Sequence, residues 1–229
     1  MSAVSEDISK IRLYGYFPLG GIIVALSRIS EDPVTRKAVS RIREVNTESG
    51  IVQLDAHLNQ FDIMAAMCGM AKVVPDLQYA AGLMAAKWTK SGVGAELFKA
   101  INNKEHLKIQ QVMRFEDEKH VSEEAFGQRK GTNRQEMDDY LNGIDRPHAV
   151  GNIAPYGSRY NFLKEDLIKN GAIESVRRFP SVCSIAKPGL SPMGFKLYLS
   201  PLIEPMGNIS EEDIRRHIQN SFRELLERK

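Results

Sequence analysis

Phosphate, nucleophile and metal chemistry each require particular residue types at particular spacings, and this chain carries fragments of all three. Gly92-Val93-Gly94 starts like a glycine turn for a dinucleotide. It lacks the third glycine and is expected to follow a helix, whereas that turn must follow a strand to aim its backbone N–H groups at a pyrophosphate. In Gly189-Leu190-Ser191-Pro192-Met193-Gly194 the second glycine comes one residue late for a nucleophile elbow, and a proline follows the serine. Asp117 with His120 and Asp145 with His148 are carboxylate-x-x-His steps, a spacing that puts two metal ligands on one helical face. Pro147 spoils the second step, and no carboxylates stand out inside the apolar helices to complete either one. The sequence therefore predicts no catalytic residue, no metal and no cofactor, while a site assembled from dispersed residues would leave no local motif.

Polyanion chemistry has broader support. Arg36, Lys37, Arg41 and Arg43 fall on one predicted helix face; Arg129, Lys130 and Arg134 fall in and beside a basic loop; Arg177 and Arg178 fall near the C-terminal part. Phosphates bind such separated positive groups through counterion release. Tyr156-Gly157-Ser158-Arg159-Tyr160-Asn161-Phe162 interleaves aromatics with arginine, and Tyr156, Arg159 and Tyr160 are the residue types that stack unpaired bases in a charged groove. Taken one at a time, these charges also suit a solvated surface, and Tyr160 and Phe162 suit the core side of a helix.

Composition bounds the alternatives. Lys+Arg 31 against Asp+Glu 29 leaves a net charge of +2, too small for a global field, so any polyanion site must be a local patch. With 42% hydrophobic and 26% charged residues the chain has the makings of a core. Cys68 and Cys183 match no metal or redox spacing, which favours free thiols in a reducing compartment and a cytoplasmic location. The polar, acidic start Met1-Ser2-Ala3-Val4-Ser5-Glu6-Asp7 does not resemble a secretion signal. The apolar stretches Gly20 to Leu26 and Ile63 to Ala71 fall short of the roughly 20 residues that cross a bilayer.

The elements that would position these groups read as helices. Asp32-Pro33 is a cap followed by a first helical residue, and Val34, Ala38, Val39, Ile42 and Val45 recur at helical spacing. Ala56 to Val74 and Asp76 to Trp88 read as buried helices, Ala95 to Ile101 as a short one, and Asn102 to Phe126 as a charged surface stretch. Phe126 to Gly131 reads as a loop, with Thr132 and Gln135 capping the helix that follows. Gly143 to Ser158 reads as irregular, Arg159 to Asn170 as a helix closed by Gly171, and Ser191-Pro192 as the start of a helix containing Phe195 to Leu199. Ser181 to Ala186 suits a short strand but has no evident partner. Ser210 and Asp213 cap a last helix with the stripe Ile214, Ile218, Phe222 and Leu225.

Ala186-Lys187-Pro188-Gly189-Leu190-Ser191-Pro192 resembles the Lys-x-Gly-Phe-Ser-Pro turn that opens a late helix in orthobunyavirus nucleocapsid proteins, and the chain length is similar. A looser kinship with helical nucleocapsid and coat proteins of RNA viruses implies a basic groove between two lobes, sequence-independent RNA wrapping and polymers joined by terminal arms.

The expectation is a mostly α protein, a helical bundle in two lobes (1–145 and 146–229) with terminal arms. Its expected activity is non-enzymatic: coating single-stranded RNA as a homo-oligomer, with Ile214, Ile218, Phe222 and Leu225 as the oligomerisation face and no membrane partner. The competing expectation is an adaptor that dimerises through that C-terminal helix without nucleic acid.

Overall fold

The structure, a computed structural model, describes residues 28–56, 62–74, 76–85, 107–112, 123–157, 163, 167–188 and 195–228. Along the chain these form β1 (Arg28–Ile29), α1 (Pro33–Asn46), β2 (Ile51–Asp55), α2 (Asp62–Val73), β3 (Tyr79–Ala85), β4 (Leu107–Val112), α3 (Glu123–Ile144), β5 (Ala149–Ile153), α4 (Asn170–Arg178), β6 (Ser181–Pro188), β7 (Phe195–Leu199) and α5 (Glu211–Glu227). Among the described residues, no helix is long and apolar enough to cross a membrane.

The helix starts follow their capping chemistry. Asp32 Oδ1 accepts the backbone N–H of Val34 at 3.1 Å and of Thr35 at 3.0 Å, and Pro33 occupies the position that has no N–H bond to lose. Thr35, Ala38, Ile42 and Asn46 then recur every three or four residues and are buried. At α5, Ser210 Oγ accepts the Asp213 N–H at 3.2 Å, and Ile214, Ile218, Phe222 and Leu225 form its inward stripe.

The strands make one mixed sheet in the order β1-β7-β6-β2-β5-β3-β4. β6, β2, β5, β3 and β4 are mutually parallel, β7 runs antiparallel to β6, and β1 runs parallel to β7. Side chains alternate across the pleat. Ile51, Val150, Val182, Leu197 and Leu199 share one core cluster with Ala38 and Ile42 of α1 and Ala66, Met70 and Val73 of α2. Val52, Leu54, Tyr79, Ala81, Ile153, Cys183 and Ile185 share the other with α3, α4 and α5. The sheet is therefore the middle of three layers. The crossover from β2 through α2 to β3 travels over one face, while those from β4 through α3 to β5 and from β5 through α4 to β6 return over the other. A single handedness of crossover requires that exchange of faces.

This architecture overturns the mostly α, all-helical expectation: the fold is α/β. Tyr79-Ala80-Ala81-Gly82-Leu83-Met84-Ala85, read as part of a helix, is β3. Parallel strands covered on both faces lose the apolar-polar alternation that marks a strand in sequence, and a run of Ala, Leu and Met then imitates a buried helix. Phe195 to Leu199, also read as helical, is β7, and β5 lies inside the stretch read as irregular. The unpartnered strand at Ser181 to Ala186 is β6, paired on both sides. The expected helix stop at Asn170-Gly171 is instead the start of α4. Phe126 to Gly131, expected as a loop, continues α3.

The expected lobe boundary at residue 145 falls between α3 and β5, yet β5 inserts between β2 and β3. Strands from both intervals thus belong to one sheet. The N-terminal arm, the helix expected from Ala95 to Ile101 and the motifs at Gly92 to Gly94, Asp117 to His120 and Gly189 to Gly194 lie outside the described residues.

Candidate functional site

In a doubly wound sheet, ligands meet the crevice outside the carboxyl ends of the strands, where neighbouring connections depart to opposite faces. β2 and β5 are such neighbours. The chain leaving β2 goes to α2 on one face, and the chain leaving β5 goes to α4 on the other.

Four polar side chains gather beside this point on the α2 side of the sheet: Gln53 and Asp55 from β2, Asn152 from β5 and Ser184 from β6, all buried. Register explains the gathering. Gln53 and Asp55 are two residues apart and so share a face, Gln53 sits opposite Asn152, and Asp55 sits opposite Ser184. Asp55 is only 1% exposed, so its carboxylate depends on protein donors for stabilisation. Ser184 Oγ–H donates to Asp55 Oδ1, and Asn152 Nδ2–H donates to Asp55 Oδ2. Gln53 Nε2–H donates to Ser184 Oγ at 3.0 Å and to the Ala66 carbonyl of α2 at 3.1 Å. Asn152 Nδ2–H also donates to Gln53 Oε1 at 3.4 Å. Asp55 has further contacts beyond these.

The amide orientations follow from the partners. Rotating Gln53 would set its oxygen against the Ala66 carbonyl, and rotating Asn152 would set its oxygen against the Asp55 carboxylate. The result is a fixed anion at the end of the central strand, hydrogen-bonded at both oxygens. Chemically, such a group can accept a proton from a ligand or hold a ligand's donor.

Among the described residues, those expected to bind RNA are divided between elements on opposite faces of the sheet. Arg36 and Lys37 are exposed on α1. Arg41 is paired with Glu44 at 2.9 Å and with Glu204 at 3.1 Å. Arg43 caps the carboxyl end of α2, donating to the carbonyls of Val73 at 2.9 Å and Lys72 at 3.2 Å. Arg129 and Lys130 fall within α3, where Arg134 is exposed. Arg177 donates to the Ile209 carbonyl at 3.4 Å, and the Arg178 guanidinium lies 5.5 Å over the Phe179 ring. α1 and the pair α3 and α4 cover opposite faces of the sheet, so these cations do not line one groove. Tyr156 is buried with its ring 6.0 Å from that of Phe222, and is a core residue rather than a stacking platform. Arg159 and Tyr160 lie outside the described residues.

Nor is the expected oligomerisation face free. Ile214, Ile218, Phe222 and Leu225 are buried in the chain's own core.

Sequence reasoning passed over Gln53, Asp55, Asn152 and Ser184. The available signal was Ile51-Val52-Gln53-Leu54-Asp55-Ala56, in which two polar residues alternate with apolar ones. On its own that pattern describes a half-exposed strand. No protein-family model matches the chain, and no curated protein is significantly similar to it.

Proposed function

We propose that this protein binds a small polar molecule in the crevice outside the carboxyl ends of β2 and β5, and that it is an α/β enzyme in which Asp55 is the acid–base group. One observation carries the reading: a buried carboxylate, held by Ser184 and Asn152, stands beside the point where the chain leaves two adjacent parallel strands for opposite faces. A purely structural carboxylate could sit anywhere along the strand. This one is the last residue of β2, where the fold places ligands.

The RNA-coating reading draws less support, because it needs the basic groups of α1 and of α3 and α4 in one channel and the sheet separates them. A thermal-shift screen of polar metabolites tests the proposal, since a ligand that binds only the folded state raises Tm with concentration. The expected hit also moves the NMR resonances of Asp55, Asn152 and Ser184 in a saturable way. Hits that move only other residues, or a screen without hits alongside salt-sensitive RNA binding, would overturn it.

A further inference from the structure

We infer that Arg28, Lys196 and Lys187 form a second binding site, separate from the Asp55 crevice, for a small molecule that carries linked phosphate groups, such as a di- or triphosphate.

The site is a consequence of register. Arg28 of β1 sits opposite Lys196 of β7, and Lys196 sits opposite Lys187 of β6. Directly opposed residues of paired strands project from the same face of a sheet. Three cations therefore stand in one row across three neighbouring strands, with about 4.8 Å from strand to strand. Like charges set directly opposite each other destabilise a sheet, and here two such pairs follow one another. A bound polyanion turns that repulsion into attraction.

The row lies on the α5 face. Side chains alternate along a strand, so Lys187 shares a face with Cys183 and Ile185, and Lys196 shares one with Tyr198, all three of which pack in the core cluster that contains the α5 stripe. Ser184, by the same alternation, points with Asp55 to the other face.

The fold holds both lysines in place without neutralising them. Lys187 Nζ lies 4.8 Å and Lys196 Nζ 5.4 Å from the centroid of the Tyr198 ring, a cation–π contact that orients a charge and keeps it. Lys187 Nζ also donates to the Leu226 carbonyl at 3.3 Å and to the Arg228 carbonyl, which engages two of its three protons. Arg28 is exposed. Among the described residues, the ion pairs belong to other cations, and none of these three has a carboxylate partner. Residues 8–27, which lead into Arg28, and 189–194, which join β6 to β7, contain no Asp or Glu. A guanidinium grips phosphate oxygens as a fork, and an ammonium group meets them as a point charge. One phosphate serves two neighbouring positions of the row, whereas linked phosphates reach all three.

The test is isothermal titration calorimetry of the full chain with inorganic tripolyphosphate and with orthophosphate at matched ionic strength. Tripolyphosphate should bind saturably, one per chain, and roughly tenfold or more tighter than orthophosphate, the factor that one further charge-assisted hydrogen bond supplies. Arg28→Gln and Lys196→Gln should each weaken tripolyphosphate binding by about the same factor. Lys196→Gln should also melt no lower than the parent protein in phosphate-free buffer, because it removes a like-charge neighbour, and Arg28→Gln, at an exposed position, carries the binding test independently of it. No saturable heat with tripolyphosphate, equal affinity for orthophosphate, or unchanged binding in both variants would overturn the site. A single-stranded RNA oligonucleotide that binds the parent but neither variant, with tripolyphosphate silent, would overturn the small-molecule assignment in favour of nucleic acid.

Discussion

The Tyr140 hydroxyl occupies the space that a side chain on Gly151 would need: a Cβ built there would lie 2.5 Å from the hydroxyl oxygen and 2.9 Å from Ile144 Cδ1. Gly151 is thus a packing glycine, through which α3 seats against β5 beneath the strand that carries Asn152. Gly151→Ala should destabilise by roughly 1–3 kcal/mol, as overpacked cores do. Because the nearest obstacle is one oxygen atom, the double variant with Tyr140→Phe should recover part of the loss. Urea unfolding of the two single variants and the double variant measures this coupling, and strict additivity would show that the clash is relieved elsewhere.

The same hydroxyl and the Cys183 thiol make stability sensitive to alkali. Tyr140 is fully buried, and its hydroxyl has no hydrogen-bond partner among the described residues. Burial foremost, then the Asp55 charge and Tyr79, pushes its pKa upward from 10.0. Burial also pushes the Cys183 thiol upward from 9.0, with Asp55 adding to the rise and Ser221 and Ser200 opposing it. In the folded protein both groups keep their protons above these values, whereas the unfolded chain releases them. The unfolded state then holds fewer protons, so stability falls as pH rises. The fall should begin near pH 9 with Cys183 and steepen near pH 10 with Tyr140, each approaching about 1.4 kcal/mol per pH unit. In urea unfolding across pH 7 to 10.5, Cys183→Ala should flatten the first part and Tyr140→Phe the second. An unchanged slope in either variant would contradict the assignment for that residue.

How much of this was legible in the sequence depends on what each element is packed against. α1 and α5 lie at the surface with one buried stripe, so Asp32-Pro33 and Ser210 with Asp213 mark their starts and the apolar spacing marks their inner faces. Tyr79, Ala80, Ala81 and Gly82 of β3 are buried in succession, and the strand's composition carries neither alternation nor β-branched residues. Ser181 to Ala186 suited a strand, but its partners β2 and β7 come from distant and neighbouring parts of the chain alike, and pairing of that kind has no local signature. The candidate site was least legible of all. Gln53, Asp55, Asn152 and Ser184 belong to three strands, and their meeting depends on a register set by hydrophobic packing far from them.

Asp32 joins two structural roles. It caps α1 through Thr35 and Val34, and it lies 3.8 Å from Arg228 near the end of the chain. Burial raises its pKa, but hydrogen bonds from Thr35 and Ser30 and the Arg228 charge outweigh that, leaving the value below 3.8. A depressed carboxyl pKa stabilises above the unfolded value and loses that contribution as pH falls through the folded one. Asp32→Ala should cost about 1 kcal/mol at neutral pH, and the part of that cost that depends on the Asp32 charge should be lost as pH falls below 3.8 through the folded value. Asp32→Asn, which keeps the cap without the charge, should recover most of the loss at neutral pH. A loss of similar size in both variants would shift the weight from the cap to the Arg228 contact.

Removing the C-terminal helix separates a packing role from an assembly role. If Ile214, Ile218, Phe222 and Leu225 joined two subunits, a chain ending at Pro205 would be a folded monomer. In the structure these side chains fill the core beside Val176, Cys183 and Tyr156, and Lys187 Nζ reaches the carbonyls of Leu226 and Arg228. The truncated chain should therefore lose cooperative thermal unfolding and aggregate, because it exposes the Cys183 side of β6. Phe222→Ala, which leaves the helix in place, should cost about 3–5 kcal/mol, the range for deleting a fully buried phenylalanine ring. Its oligomeric state by light scattering should match that of the parent protein. A folded truncated monomer, or a Phe222→Ala variant of unchanged stability but smaller mass, would return this helix to the role of a subunit contact.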